Sequence, residues 1–148
     1  MKALVQKVKR AKVEVEGKTK GEIDRGFLVF LGVGKDDREK DAEYIASKIF
    51  KLRVFEDDAG KMNLDIGAVG GDILLVSQFT LYGDVKGQNR PSFMKAGLPD
   101  KAKKMYNRVG ELIEKQGIKV EKGVFGAKMK VELINDGPVT IIIESKNE

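Results

Sequence analysis

The sequence predicts a single α/β domain, of the α+β-like kind, that combines a mixed β-sheet with two main amphipathic helices. Its 148 residues suffice for one substantial core, whereas two independent domains of half that length would be poorly buried. Apolar residues recur at helical spacing in only two segments, and strand-like segments occur at both ends of the chain. Because this order differs from a regular alternation of strands and helices, we expect one domain over residues 1–148.

The first half of the chain predicts strands on either side of a helix. Alternating or continuous apolar residues mark four strands, at residues 3–16, 23–33, 53–55 and 61–64. Turns at Gly17-Lys18 and at residues 57–60 separate neighbouring strands. Asp36-Asp37 can cap the helix. The apolar residues of that helix are Ala42, Ile45, Ala46, Ile49 and Leu52.

The second half begins with a strand over residues 73–81, which is apolar enough to be covered on both faces. Glycines and a proline within residues 83–98 predict a long loop, a feature that is often functional in a compact domain. A second amphipathic helix follows and stops at Gly117. Its apolar stripe consists of Ala102, Met105, Tyr106, Val109, Leu112 and Ile113. The last strands are predicted at residues 118–125, 128–134 and 139–145.

Two residue types that commonly carry chemistry are missing, because the sequence contains no cysteine and no histidine. Disulfides, thiolate nucleophiles, Cys/His metal sites and imidazole-based triads are therefore excluded. Residues 32–36 lack the glycine spacing and the hydroxyl residue of a phosphate-binding loop. The adjacent acids Asp36-Asp37 and Asp57-Asp58 fit a cap and a turn better than a cation site. We expect neither a metal nor a cofactor.

The net charge of +5 arises from 28 basic and 23 acidic residues, and the basic ones concentrate in residues 1–20 and 86–108. Such clusters suit a polyanion such as RNA, although an ordinary solvated lysine-rich surface explains them equally well. No apolar run approaches the length of a membrane span. No signal-peptide apolar region follows Met1, so a cytoplasmic protein is expected.

Two short segments have features that a purely structural domain does not obviously need. Ser77-Gln78-Phe79-Thr80 places polar residues at the end of an apolar strand, where an unpaired buried group costs about 1–3 kcal/mol. These groups need partners within the protein or in a ligand. In Asn135–Thr140, Asp136-Gly137 suits a hairpin turn, but Pro138 removes an N–H just where the returning strand would pair. The Gly137-Pro138 pair is either the start of an edge strand or a rigid projection.

Eight segments share their residues with one known family, and they extend over nearly the whole chain in order: 4–8, 26–33, 48–55, 60–64, 76–82, 90–93, 123–129 and 135–140. The most specific are SQFT at residues 77–80 and GPVT at residues 137–140. The chain resembles the D-aminoacyl-tRNA deacylases, once called D-tyrosyl-tRNA deacylases. The resemblance implies hydrolysis of the ester that joins a D-amino acid, or achiral glycine, to the terminal ribose of tRNA.

The resemblance also implies an architecture and a set of site residues. It implies a homodimer with a barrel-like sheet and with sites at the dimer interface. Gly137-Pro138, joined by a cis bond, would reach from one subunit into the pocket of the other. There its backbone would engage the α-amino group and leave no room for an L-substituent. The implied pocket residues are Ser77, Gln78, Phe79 and Thr80, together with Phe125, Gly126, Ala127 and Met129, which would help to hold the terminal adenosine and the amino acid.

The missing histidine agrees with this chemistry. An aminoacyl ester is already activated, so positioning and oxyanion stabilisation can supply much of the required rate enhancement. The resemblance makes the Phe79 N–H an oxyanion donor, and the ribose 2′-hydroxyl can assist the attacking water. No histidine is present to activate Thr80 as a nucleophile, so a binding or supporting role is favoured for it. Two alternatives remain open, a non-catalytic RNA-binding module and an oligomerising scaffold with exposed strand edges.

Overall fold

The structure, a computed structural model, describes residues 1–146. Within this range the chain forms eight strands, two α-helices and one 3-10 turn. The strands are β1 (Lys2–Val15), β2 (Lys18–Ile23), β3 (Gly26–Gly32), β4 (Phe55–Glu56), β5 (Met62–Leu64), β6 (Asp72–Ser77), β7 (Val120–Lys122) and β8 (Lys130–Glu144). The helices are α1 (Glu39–Lys51) and α2 (Pro99–Glu114), and the 3-10 turn is Phe79–Tyr82.

Six strands form one mixed sheet in the order β2-β1-β3-β6-β7, with β8 paired to the other edge of β1. β1 is antiparallel to β2, β3 and β8, whereas β6 is parallel to both β3 and β7. The sheet curls until its two ends approach each other. A Cβ atom added to Gly21 of β2 would lie 2.7 Å from the carbonyl oxygen of Lys122 in β7. The predicted fold class, a mixed α/β fold with a barrel-like sheet and two helices, is confirmed.

The core has two parts, one on each face of the central strands. One part lies between the sheet and the helices and includes Phe27, Ile45, Phe55, Ile73 and Val109. The other lies inside the curled sheet and consists of Val8, Ala11, Val13, Ile23, Leu28, Leu74 and Val76. Residues 73–76 of β6 are thus buried on both faces, as predicted. Within residues 1–146, neither helix is long and apolar enough to cross a membrane.

Several predicted elements differ from the structure. β2 was not expected, because its alternation is mostly exposed and polar. The strand predicted over residues 73–81 ends at Ser77, and residues 118–125 contain only the three-residue β7. Asp36-Asp37 does not cap α1, which begins after Arg38. The Asp37 carboxylate instead accepts hydrogen bonds from Gly34 N at 2.6 Å and from the Met1 amino group at 2.8 Å.

The strands predicted at residues 128–134 and 139–145 are two parts of one strand, β8. Both parts pair with β1, with Val131 opposite Val13 and Ile141 opposite Val5. The two parts therefore do not pair with each other, and the hairpin that Asp136-Gly137 suggests does not form. β8 pairs with β1 alone among the described residues, so its other edge is open.

Candidate functional site

A pocket of about 590 Å³ opens where β6 ends, and its wall is mostly apolar. Three segments build it: the end of β6 with the first residue of the 3-10 turn, the segment leading into α2, and the segment between β7 and β8. The first segment contributes Val76, Ser77, Gln78 and Phe79. The second contributes Phe93, Ala96, Gly97 and Leu98, with Pro99 and Ala102 of α2. The third contributes Phe125, Gly126, Ala127 and Met129, and the lining is completed by Val131 of β8 and Leu31 of β3.

The sheet topology brings two distant segments of the sequence together in this pocket. β6 and β7 are parallel neighbours, so the residues after both strands emerge at the same edge of the sheet. The N–H of Gly123 donates to the carbonyl of Leu75 at 3.1 Å and holds the second segment beside the first. Seven residues predicted for the site from the sequence line this one pocket: Ser77, Gln78, Phe79, Phe125, Gly126, Ala127 and Met129.

The 3-10 turn presents a free backbone donor at the pocket. The ladder with β3 ends where Gln78 N donates to the carbonyl of Leu31 at 2.8 Å. Phe79 is the first residue of the turn, and the first N–H groups of a helical turn have no acceptor within it. No other group within residues 1–146 accepts a hydrogen bond from the Phe79 N–H. This N–H is therefore available to a ligand.

Thr80 lies one residue further along the turn and is exposed. It is absent from the lining of the pocket. Its hydroxyl accepts a hydrogen bond from Nε2 of Gln78, which does line the pocket. The geometry thus connects Thr80 to the pocket through Gln78.

The loop at residues 83–98 forms one side of the pocket mouth because the fold holds it at several points. Asp84 and Ser92 exchange two backbone hydrogen bonds of 2.9 Å, and Gly97 N donates to the Val33 carbonyl at 2.8 Å. Phe93 meets Phe79 edge to face, with ring centroids 5.0 Å apart. Phe79 and Phe93 keep 57% and 37% of their surface exposed, so both present apolar surface at the mouth.

Sequence reasoning missed Phe93 as a site residue. The segment 90–93 contributed to the family resemblance, but nothing in the pattern assigned a role to its aromatic ring. The same holds for the pocket wall at residues 96–99, which depends on long-range contacts with residues 33–35.

A buried tyrosine supports the pocket from α2. The hydroxyl of Tyr106 donates to the carbonyl of Leu75 at 2.6 Å, and its ring packs 5.7 Å from that of Phe125. Burial raises the pKa of Tyr106 above its ordinary value, so the hydroxyl keeps its proton and remains a donor. Tyr106 thereby ties α2 to β6 and to the segment that follows β7.

Gly137 and Pro138 lie elsewhere, on the open edge of the sheet. The register pairs Val8 of β1 with Asn135 and Gln6 with Thr140, so a two-residue step in β1 faces a five-residue step in β8. Residues 136–139 therefore leave the ladder, and we call them the excursion. Gly137 and Pro138 are exposed, and neither lines the pocket of its own chain.

The backbone at the excursion requires glycine. Gly137 has φ of 152°, a value that L side chains rarely adopt, and a Cβ atom there would lie 2.8 Å from the backbone nitrogen of Val139. The Gly137–Pro138 bond is cis, the isomer that the resemblance implies. Residues 1–146 contain no cluster of three or more His, Cys, Asp or Glu side chains that could hold a metal ion.

Comparisons with known proteins agree on one family. The family model described as D-Tyr-tRNA(Tyr) deacylase matches residues 4–144. A D-aminoacyl-tRNA deacylase from Thermotoga petrophila is 57% identical over 145 residues, which cover 98% of this chain and 97% of the relative. A protein of the same name from Koribacter versatilis is 55% identical over 148 residues, covering 100% of this chain and 99% of the relative.

Two solved structures share the fold. One, named c-Myc DNA Unwinding Element Binding Protein, has a TM-score of 0.93 at 42% identity and covers 99% of this chain and 100% of its own. The other, described as a probable eukaryotic D-amino acid tRNA deacylase, has a TM-score of 0.82. At 17% identity, with 97% of this chain and 98% of the other covered, the second likeness concerns the fold alone.

Proposed function

The chain belongs to the D-Tyr-tRNA(Tyr) deacylase family, and from this premise we propose that it hydrolyses the ester between a D-amino acid and the terminal ribose of tRNA. The observation that carries the proposal is the pocket at the ends of β6 and β7, where seven expected site residues meet. An apolar pocket of about 590 Å³ has room for an amino acid together with part of a terminal nucleoside.

The proposed reaction uses the backbone and the substrate rather than an acid–base side chain. Water attacks the ester carbonyl carbon, and the negative charge that develops on the carbonyl oxygen is stabilised by the free N–H of Phe79. The neighbouring ribose 2′-hydroxyl assists the water. The bond between the carbonyl carbon and the ribose oxygen then breaks, and that oxygen takes a proton. Because the ester is already activated, this route requires neither a metal ion nor a cofactor.

Thr80 has a supporting role in this proposal. Its hydroxyl contacts Gln78 rather than the open pocket, and the sequence provides no histidine to deprotonate it. The amino acid and the terminal adenosine are bound by Ser77, Gln78, Phe125, Gly126, Ala127 and Met129. A nucleophilic Thr80 would need a desolvated lysine as its base.

Selection of the D-isomer is assigned to Gly137 and Pro138 acting on the pocket of a second copy of the chain. Two observations support this: both residues are exposed on an edge strand, and neither lines the pocket of its own chain. A homodimer would give the open edge of β8 a partner. The backbone of the excursion would then exclude an L side chain sterically, whereas a D side chain or glycine would fit. Glycyl-tRNA is therefore a second proposed substrate.

A deacylation assay tests the proposed reaction. Purified protein is incubated with D-Tyr-tRNA and L-Tyr-tRNA, and the remaining ester is measured over time. We expect rapid loss of the D-ester and persistence of the L-ester. The Ala127→Trp variant is the matched control, because its larger side chain occupies the pocket while the residues of the excursion stay unchanged in sequence. An intact D-ester at protein concentrations above that of the tRNA would refute the activity.

The same assay separates catalysis from nucleic-acid binding alone. The 42% identical protein of known structure is named for DNA binding, and this chain has basic residues in excess. A binding module would retain tRNA and leave both esters intact, whereas the proposed enzyme removes the D-ester.

A further inference from the structure

The excursion in β8 is closed by one side chain, that of Asn135. Asn135 is the last residue opposite β1 before the ladder is interrupted, and Thr140 is the first after it resumes. The ladder hydrogen bonds that would normally hold the intervening residues are missing over this stretch. Whatever fixes the shape of the excursion must therefore come from within β8 or from side chains nearby.

The carboxamide of Asn135 supplies three hydrogen bonds across the base of the excursion. Its Oδ1 accepts from Val139 N at 2.8 Å, and its Nδ2 donates to the Val139 carbonyl at 3.1 Å. Nδ2 also donates to Oγ1 of Thr140 at 3.1 Å. A carboxamide has one acceptor oxygen and two donor hydrogens, and all three functions are used here.

These bonds join two fixed ends. Asn135 is held by its pairing opposite Val8, and Val139 is 6% exposed and packs into the core between the sheet and the helices. Between the two ends, Gly137 and Pro138 make no hydrogen bond to any residue within 1–146. Their position relative to the sheet is thus set by the three hydrogen bonds of the Asn135 carboxamide at the base of the excursion.

We propose that Asn135 is a positioning residue that fixes how Gly137 and Pro138 project from the sheet, and thereby sets the discrimination between D- and L-esters. This inference rests on the proposed function, because it assigns the selecting contact to Gly137 and Pro138. Asn135 acts through them and does not itself touch the substrate. Its amide is suited to the role because no other side chain of the same length carries both a donor and an acceptor.

The test compares two substitutions at Asn135 with one at its neighbour. Asn135→Asp keeps the shape and the acceptor for Val139 N but places an unprotonated oxygen against the Val139 carbonyl, and Asn135→Ala removes all three bonds. Asp136→Asn is the matched control, because the Asp136 side chain makes no hydrogen bond within the described part of the chain. The readout is the ratio of the D-Tyr-tRNA and L-Tyr-tRNA hydrolysis rates.

We expect both Asn135 variants to lower this ratio by about tenfold or more, since they lose part-buried hydrogen bonds that hold Val139 to Asn135. KM for aminoacyl-tRNA should stay unchanged in both Asn135 variants, because Asn135 does not line the pocket. The control Asp136→Asn should keep the wild-type ratio of D- to L-ester hydrolysis. An unchanged ratio in folded Asn135 variants would overturn the proposal. An equal loss of activity on both esters would also overturn it, because that is what a merely structural role produces.

A second measurement keeps the inference testable if the wild-type protein leaves D-Tyr-tRNA intact and the proposed function itself fails. NMR of the amides of Gly137 and Val139 reports the excursion directly. We expect slow hydrogen exchange at Val139 N–H in the wild type and in Asp136→Asn, and fast exchange with shifted Gly137 resonances in Asn135→Ala. Identical Gly137 resonances and equal protection of Val139 in all three proteins would show that Asn135 does not position the excursion.

Discussion

The pocket and the excursion are built in opposite ways. The pocket is assembled within one chain by paired strands, and each of its segments is held by backbone hydrogen bonds to the sheet or to residues 33–35. The excursion leaves the ladder of an edge strand and depends on one side-chain amide. Catalysis and chiral selection would therefore reside in parts of the molecule that can be altered separately. Substitutions in one region should leave the property of the other intact.

The largest effect on selection is expected from Gly137→Ala. A Cβ atom would lie 2.6 Å from Cγ2 of Val139, at a backbone conformation whose strain costs a side chain about 1–3 kcal/mol. We expect the ratio of D- to L-ester hydrolysis to fall about a hundredfold, equivalent to about 3 kcal/mol. Gly60→Ala is the control, because Gly60 has φ of 75° but open space around its Cβ position. If Gly137→Ala keeps the wild-type ratio of D- to L-ester hydrolysis, the excursion does not determine the choice between the two esters.

A smaller and different effect is expected from Phe93→Ala at the pocket mouth. Loss of the edge-to-face pair with Phe79 removes about 0.5–1.5 kcal/mol of interaction. We expect KM for D-aminoacyl-tRNA to rise about three- to tenfold, with the ratio of D- to L-ester hydrolysis unchanged. Met94→Ala, at a neighbouring side chain that is 83% exposed and outside the pocket lining, should behave like wild type. A changed ratio of D- to L-ester hydrolysis in Phe93→Ala would contradict the separation of the pocket from chiral selection.

Thr80→Ala is expected to reduce kcat by less than about tenfold, because the Thr80 hydroxyl supports Gln78 and does not attack the ester. Single-turnover kinetics with D-Tyr-tRNA measure the chemical step directly. A fall to the uncatalysed rate, with tRNA binding and the unfolding midpoint preserved, would instead make Thr80 the nucleophile.

The smallest effect on the reaction is expected from Tyr106→Phe, which should act on stability. Loss of the buried bond to the Leu75 carbonyl should lower the free energy of unfolding by about 1–3 kcal/mol, with the D-to-L ratio unchanged.

The free energy of unfolding should also depend on pH differently in the wild type and in Tyr106→Phe. Burial raises the folded-state pKa of Tyr106 above its ordinary value of 10.0. The protonated hydroxyl therefore makes its full contribution to the free energy of unfolding below pH 10.0. The contribution is lost as the pH rises further. Denaturant unfolding between pH 8 and about 11 should therefore show a steeper decline for wild type than for Tyr106→Phe. Parallel declines would contradict this assignment.

The fold was predictable where the pattern is local and apolar. β1, β3, α1 and α2 follow from alternation or helical spacing, and the double burial of β6 follows from its apolar run. β2 was missed because an exposed polar edge strand lacks that signal. The single strand β8 was missed because Asp136-Gly137 gives a local hairpin signal, whereas its actual partner, β1, is more than a hundred residues away in sequence.

The candidate site was predictable to the extent that the family resemblance named residues. Seven of the residues that it named line one pocket: Ser77, Gln78, Phe79, Phe125, Gly126, Ala127 and Met129. Their roles in binding and catalysis stay predictions. It gave no role to Phe93 or Asn135. Their contacts arise from a loop held against residues 33–35 and from an interrupted ladder, and neither feature leaves a periodic trace in the sequence.

The most direct test of selection across the dimer uses a heterodimer of two variants carrying different affinity tags. One chain bears Ala127→Trp, which blocks its pocket, and the other bears Gly137→Ala, which alters its excursion. If the excursion acts on the partner's pocket, the single open pocket faces an unaltered excursion. The purified heterodimer should then show the wild-type ratio of D- to L-ester hydrolysis. A ratio as low as that of the Gly137→Ala homodimer would contradict selection by the partner's excursion.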